Sequence, residues 1–365
     1  MKRYLVTVTD NIAPTSMPYN EFVLYRREHE PEEKQTIILL FKTKTNENVP
    51  ADVELHCVGK DRAKLKKIVE NVVERATKDQ ATVLFHIHEA KSVLLFNIAT
   101  KWKYKRQIVY TLHSTYKNYP FHNKLFTQLA SRQCGQVVCV SNTSFRYYPE
   151  KLKQKLGDRV GYIQNGVDTE RIDSVSGGRK KNDVFTFIYV ARLIELKRHK
   201  MLFEALRDVP CVKLKLIGYG PLEEELRKEA EGLNVEFLGA QPRDKVYEEL
   251  KKADAYVSSS SYEGLPIGVL EAMCCGLPCI LSDIEQHREI AEKCKGLILC
   301  ADDRWKAELN KLIKIDQEAL MNIGIQNASD AEKYFSLAAM HRKYDEIYSK
   351  VEGGDAVGTI YTQTG

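Results

Sequence analysis

The sequence predicts an α/β protein of two doubly wound domains, each built on a largely parallel sheet. Three observations carry that expectation. The chain has 365 residues, too many for one comfortable core and suited to two. Short β-rich apolar runs alternate with amphipathic helical stretches from end to end. One segment, DTERIDSVSGGRKKND at 168–183, breaks the alternation with Gly-Gly and a run of charge, which marks a linker. The expected divisions are an N-terminal domain at 1–170, a linker at 171–183 and a C-terminal domain at 184–329. A helix at 330–350 then packs back toward the first domain, and 351–365 is a Gly- and Thr-rich flexible tail.

In the first half the expected strands are RYLVTVT, TIILLFK, VELHCVG, TVLFHIH, QIVYTLH, QVVCVSN and VGYIQNG. Between several of them lie helical patterns such as AKLKKIVENVVERATK and NKLFTQLASRQ. The second half continues with FTFIYVAR, VKLKLIG, NVEFLGA, DAYVSSS, PCILSD and GLILC, again with helices between. A helix between successive strands returns the chain to the same edge, so the strands run parallel. Such sheets bind ligands beyond the carboxyl ends of their strands, and two of them are expected to face each other across a cleft. Functional residues are therefore sought just after strands.

Composition narrows the class. With 43% hydrophobic and 29% charged residues the chain is globular rather than disordered. No run reaches the length of a membrane span, and MKRYLVTVTDN lacks a signal-peptide pattern, so a cytoplasmic location is expected. Nine scattered cysteines with no Cys-x-x-Cys pair read as small buried hydrophobes in a reducing compartment, with no metal site. A net charge of +5 is too small to argue for nucleic acid, and no RNA-recognition or zinc-finger pattern accompanies it.

The stretch SSSSYEGLPIGVLEAMCCGLPCILSD at 258–283 carries the most chemistry. It reads as a loop after a strand, followed by a helix that Pro266 opens and Gly276 closes. The first N–H groups of that helix have no intrahelical partner and carry the positive end of its dipole. Gly264 and Gly268 let a ligand approach the backbone, so the segment suits a phosphate. An ordinary strand–helix junction is the plain alternative. Glu271 argues against it: an apolar helix face is a costly place for a carboxylate unless donors meet it. Ionised, it accepts hydrogen bonds from vicinal hydroxyls. Glu263 in the loop and Glu271 on the helix suit two sugars either side of a diphosphate, which describes a nucleotide sugar. Arg192 and Lys197, just after the strand FTFIYVAR, supply a planar fork and a point charge for that diphosphate. Gly218 and Gly220 in KLIGYGPLEEEL form a turn that lets a nucleotide approach, and are only half of a dinucleotide fingerprint.

These residues resemble a known family. Glu263 and Glu271, around Gly-Leu-Pro-Ile, match the E-x7-E motif of retaining glycosyltransferases with the GT-B fold. ARLIELKRH resembles that group's Arg-Leu-x3-Lys segment, and LIGYGP, VEFLGAQPRDKVYEEL and SDIEQHREI follow in its order. The chain is similar to glycosyltransferase family 4 over about residues 160–345. The resemblance implies roles. Arg192 and Lys197 grip the donor diphosphate, Glu263 contacts the donor sugar near the reacting carbon, and Glu271 holds the ribose hydroxyls. Backbone N–H groups of Leu265, Pro266-Ile267 and Gly268 complete the phosphate cradle, and Gly218 to Gly220 border the base. In the N-terminal, acceptor-side domain His113 ends IVYTLHST, where the family places a histidine facing the donor; His88 at the end of VLFHIHEA is as readily structural. UDP is the family's commonest base. The resemblance also implies metal independence, because no Asp-x-Asp pair is present and Arg192, Lys197 and the helix N-terminus stand in for a cation.

One departure concerns the loop after the first strand. Many family members have Gly-Gly there; this chain reads TDNIAPTSMPYNEFVLYR, and Asn11, Ser16 and Asn20 are the acceptor-side candidates instead. The family's acceptors include lipid-linked sugars of capsule, exopolysaccharide or lipopolysaccharide at the inner membrane face. ATKWKYKRQ, which interleaves Lys101, Lys103, Lys105 and Arg106 with Trp102 and Tyr104, suits peripheral contact with anionic lipid or, equally, a solvated helix end. Two rival readings share the fold: a GT-B nucleotide-sugar epimerase, and a non-catalytic nucleotide-binding or redox protein.

Overall fold

The apolar runs of the first half fold as seven strands: β1 (Arg3–Thr9), β2 (Glu33–Leu40), β3 (Glu54–Gly59), β4 (Thr82–Ile87), β5 (Ile108–Leu112), β6 (Gln136–Cys139) and β7 (Val160–Tyr162). The computed structural model describes residues 2–12, 18–177 and 183–353. The seven strands lie in the order β3-β2-β1-β4-β5-β6-β7, every pair parallel. The second half supplies β8 (Phe185–Val190), β9 (Val212–Ile217), β10 (Val235–Gly239), β11 (Ala255–Ser258), β12 (Cys279–Ser282) and β13 (Leu297–Cys300). Their order is β10-β9-β8-β11-β12-β13, again all parallel. Both are doubly wound Rossmann-like sheets, as the alternation of patterns predicted.

Helices cover each sheet with the faces their periodicity foretold. In the helix Arg62–Lys78, Leu65, Val69, Val72 and Ala76 are the buried stripe, and Asp61 caps the start by accepting from the Lys64 N–H at 2.9 Å. The two cores are separate clusters, one around β1, β4 and β5, the other around β8, β11 and β12.

The chain forms two compact units, Met1–Asn165 with Met340–Gly365, and Gly166–Ala339. The boundary falls before the expected linker. Residues Thr169–Ser174 are a helix whose Ile172 is fully buried in the second core, so the first part of 171–183 is structure and not spacer. Residues 178–182 of that linker and 354–365 of the tail lie outside the described residues. The single helix expected at 330–350 is two, Gln317–Phe335 and Leu337–Glu352. Between them Ser336 is extended and bridges Val167: the Val167 N–H donates to the Phe335 carbonyl and the Leu337 N–H to the Val167 carbonyl, both at 2.8 Å. From Met340 onward the last helix belongs to the first unit, where Tyr344 and Tyr348 are buried. There Arg26, fully buried, donates to Glu33 through two 2.7 Å bonds and to Asp345 at 2.8 Å.

Two expectations change at the surface. The glycine-free loop after β1 contains a π-helix, Pro18–Leu24, running into the short helix Tyr25–His29. In the interleaved patch Tyr104 is buried in the first core while Trp102 stays exposed, so its aromatics do not share one face. The cysteines are free and most are buried or half-buried; Cys211 is the exposed exception.

Candidate functional site

In the second sheet the strand order reverses between β8 and β11, so the loops that follow them diverge and leave a crevice at the carboxyl edge. The sequence puts its chemistry into these loops. Arg192 and Lys197 follow β8, and the segment from Ser259 to Gly268 follows β11. Hydrogen bonds join the loops: Ser259 Oγ donates to the Lys197 carbonyl at 2.7 Å, and the Ser261 N–H to the Leu196 carbonyl at 2.8 Å. Arg198, in the left-handed region at φ 49°, donates to both carboxylate oxygens of Asp302 (2.7 and 2.8 Å) and to the Ser259 carbonyl at 2.8 Å.

Lys197 and Glu263 meet in this crevice as an ion pair, with side chains only 16% and 13% exposed. Ser260 Oγ donates to the same Glu263 oxygen at 2.6 Å, and Ser260 is 2.8 Å from the Tyr189 hydroxyl. Family resemblance gave these two residues separate duties on phosphate and sugar; in the structure they hold each other. Arg192 is exposed and makes no ion pair among the described residues, so its guanidinium is open to a ligand.

Glu271 lies within the helix Ile267–Cys274, 7% exposed. The donors its burial demanded come from the helix Arg243–Lys252: the Tyr247 hydroxyl at 3.2 Å and Arg243 Nε at 3.8 Å. Burial pushes the Glu271 pKa up, while Arg243 and Tyr247 pull it back. No side chain caps this helix: its N-cap is Pro266, with an extended backbone. Its first N–H groups therefore face the crevice side of the loop as donors for an anion. Leu265 is buried, which leaves its backbone as the available part, and Gly264 precedes it.

The glycines are demanded first by the chain itself. A Cβ on Gly218 would lie 1.9 Å from the Ala191 carbonyl oxygen, and one on Gly220 2.3 Å from that of Leu193. A Cβ on Gly268 would meet the Tyr256 hydroxyl at 2.9 Å and the Val190 carbonyl at 3.1 Å. Gly218 and Gly220 thus let the loop after β9 pack on the loop that carries Arg192, a structural requirement beyond the nucleotide approach read from the sequence.

In the first unit β4 and β5 end in histidines. His88 Nδ1 lies 2.8 Å from His113 Nε2, and His86 is 2.8 Å from both the Tyr348 hydroxyl and Thr111 Oγ1. Burial lowers His113 to about 4 and holds His86 and His88 well below the usual imidazole range, so all three are neutral at pH 7. His88 Nε2 is buried with no hydrogen-bond partner among the described residues. His88 also lines a cavity of about 460 Å³ with Asp10, Glu89, Lys91, Tyr119 and Phe126. Burial, then Asp10, raises Glu89 to about 8. Asn11 accepts from the Lys42 ammonium, Asn20 sits in the π-helix after it, and Ser16 lies outside the described residues. Among the described residues no group of three or more His, Cys, Asp or Glu side chains is placed to hold a metal.

Sequence reasoning passed over Ser259, Ser260, Arg198 and Glu89. The four-serine run directly after a strand was the available signal for the first two. Arg198–Asp302 spans 104 positions and had none.

Comparison with known proteins agrees with this architecture. The model for glycosyl transferases group 1 matches residues 171–329, and that for glycosyltransferase family 4 matches residues 23–171. The chain belongs to this glycosyltransferase family. It is 30% identical over 221 residues to one of the phosphatidylinositol N-acetylglucosaminyltransferase proteins of Arabidopsis thaliana, covering 56% of this chain and 48% of that protein. It is 24% identical over 270 residues to an Escherichia coli UDP-Gal:alpha-D-GlcNAc-diphosphoundecaprenol alpha-1,3-galactosyltransferase, covering 67% and 69%. The alignment thus spans about half the length of the first relative and about two thirds of the second. Among solved structures, Anabaena HepE in complex with UDP and glucose superposes with a TM-score of 0.71 at 18% identity, covering 95% of this chain and 99% of that one. That likeness is one of fold: the two parallel Rossmann-like sheets of the GT-B class. No helix among the described residues is long and apolar enough to cross a membrane.

Proposed function

We propose that the protein is a retaining glycosyltransferase that takes a sugar from a nucleotide-sugar donor, with UDP as the nucleotide, to a glycan or lipid-linked glycan acceptor. The observation that carries this reading is the convergence at the β8/β11 crossing of Arg192, the Lys197–Glu263 pair, an uncapped helix N-terminus and the buried Glu271. The diphosphate lies against Arg192, Lys197 and the N–H groups of Ile267 and Gly268, and Glu271 accepts from the ribose hydroxyls. When the glycosidic bond breaks, negative charge grows on the leaving diphosphate. Two fixed cations and a helix N-terminus oppose it without a metal ion, and one such preorganised donor is worth about 3 kcal/mol of barrier. Glu263, released from Lys197, turns to the sugar.

The cavity at the carboxyl edge of the first sheet is the acceptor seat on this reading. Its aromatic walls suit a sugar face, and the open His88 nitrogen and Glu89 offer partners to hydroxyl groups. The lipid-linked acceptor named for the Escherichia coli relative supports a role in cell-surface polysaccharide assembly, carried out in the cytoplasm with peripheral contact at the inner membrane face.

The test is calorimetric titration of UDP, GDP and ADP into the wild type, Arg192→Ala and Glu271→Ala without divalent metal. One nucleotide is expected to bind, at least 10-fold more weakly in each variant. Equal affinity in all three proteins would sink the assignment of this crevice. Release of donor nucleotide only when an acceptor is added separates transfer from epimerisation.

A further inference from the structure

The amino edge of the first sheet holds a second cavity, of about 420 Å³, that the proposed reaction does not use. Topology places it. Lys105 and Arg106 precede β5, Gln136 opens β6 and Arg159 precedes β7, and because these strands are parallel neighbours their amino ends lie side by side. His88 and His113 follow the carboxyl ends of β4 and β5, at the other edge of the same sheet.

Five cations line this cavity, Lys105, Arg106, Arg132, Arg159 and Lys350, and no acidic side chain does. Lys105 and Arg106 make no ion pair among the described residues. The Arg132 guanidinium donates to the Gln128 carbonyl at 3.2 Å and that of Arg159 to the Cys134 carbonyl at 3.1 Å, both neutral partners. Exposed arginines elsewhere on the first unit hold carboxylates, as Arg27 does Asp52 and Arg75 does Glu54. Like charges gathered around a concave site raise the local potential and favour an anion there. A second observation points the same way. Gln136 is 2% exposed, lines the cavity, and its Oε1 has no hydrogen-bond partner among the described residues. Such an acceptor is costly to leave unfilled, and a hydroxyl beside a bound anion would fill it. The floor is tight because Gly135 lets two segments touch: a Cβ there would lie 2.1 Å from the Arg106 carbonyl oxygen.

We propose that this cavity is a phosphoryl-binding site, separate from the donor site, in which Arg106, Arg132, Arg159 and Lys105 hold a phosphate or diphosphate group and Gln136 accepts from a hydroxyl of the same ligand. Two sources carry that chemistry, a soluble phosphate compound and a phospholipid headgroup. Trp102 and Leu129, 46% and 38% exposed, lie in the segments that lead into Lys105 and Arg132 and fit the second source.

Trp102 is also the reporter. Its Nε1 donates to Gln133, between the lining residues Arg132 and Cys134, at 2.9 Å, and the chain's other tryptophan, Trp305, is 2% exposed in the second core. Tryptophan emission is followed while sodium pyrophosphate is added, and in a second arm while phosphatidylcholine vesicles with or without phosphatidic acid are added. A saturable change is expected in at least one arm, with Arg106→Gln/Arg132→Gln weakening it at least 10-fold and Lys105→Gln alone about 3-fold. Arg192→Ala keeps the response, which separates this cavity from the donor site. A response to pyrophosphate alone identifies a soluble ligand; a response to acidic vesicles alone identifies a headgroup. No saturable change in either arm, or an unaltered one in the folded Arg106→Gln/Arg132→Gln protein, overturns the proposal.

Discussion

Lys197 and Glu263 show how one residue pair holds a site ready. Two partly buried charges are stable there because each supplies what the other lost on leaving water, and Ser260 occupies a further acceptor position on the carboxylate. Donor binding must reapportion that pair, so the two residues act as a unit. Lys197→Met is expected to slow turnover about 100-fold, equivalent to about 3 kcal/mol. Glu263→Gln introduced into Lys197→Met is expected to cost far less than in the wild type. Initial rates of sugar transfer by the four proteins of this double-mutant cycle measure the coupling, and strictly additive losses would contradict it. The sequence revealed that both charges follow strands of one domain. That they pair was not legible, because 66 positions separate them and only the adjacency of β8 and β11 brings them together.

At the scale of the element, the crevice depends on how closely three strand-following loops can pack. Gly218 sits at φ +143° with the Ala191 carbonyl where a Cβ would be, one residue before Arg192. Gly218→Ala is expected to destabilise by about 2 kcal/mol or more and to weaken nucleotide binding, because relief requires the loop of Arg192 to move. Gly232→Ala is the control: φ is +79°, but nothing lies within 4 Å of its Cβ, so it should cost about 1 kcal/mol and leave binding alone. Denaturant midpoints and calorimetry on both variants make the comparison, and equal losses would refute the packing argument. The same scale explains the misread C-terminal helix. DAEKYFSLAAMHRKYDEIYSK has continuous helical periodicity, and what breaks it is the bridge from Ser336 to Val167, a contact 169 positions away.

For the whole molecule the buried histidines set an acid limit. His113, His199 and His287 are lowered to about 4 and His341 to about 3, all by burial, with His86 and His88 further examples. Unfolded, each takes up a proton near 6.5, so between about 6.5 and about 4 the unfolded chain binds more protons and stability falls as pH falls. A fully buried case such as His287 contributes roughly 1.4 kcal/mol for each pH unit in that window. Glu89, raised to about 8, and Glu271, raised above its usual value, have the opposite sign: their stabilisation is lost as pH rises through the folded pKa. Thermal unfolding is therefore expected to peak in the pH range 6.5–7.5 and to drop steeply by pH 5. Since both units contain such histidines, both calorimetric transitions should shift; a profile flat from pH 7 to pH 4.5 would contradict the burial.

The sequence by itself determined the class. Alternating patterns specify parallel βα units because hydrophobic periodicity is local, and the E-x7-E spacing and the Arg-Leu-x3-Lys segment place donor chemistry after particular strands within a few residues. Only the tertiary structure decided the strand order, and with it the Lys197–Glu263 pair, the Tyr247 and Arg243 partners of Glu271, the His88–His113 contact and the basic cavity at the opposite edge. Each of these joins residues far apart in the chain, and the side-by-side order of strands that makes them neighbours is fixed by burial of whole sheet faces, which no short stretch of sequence encodes.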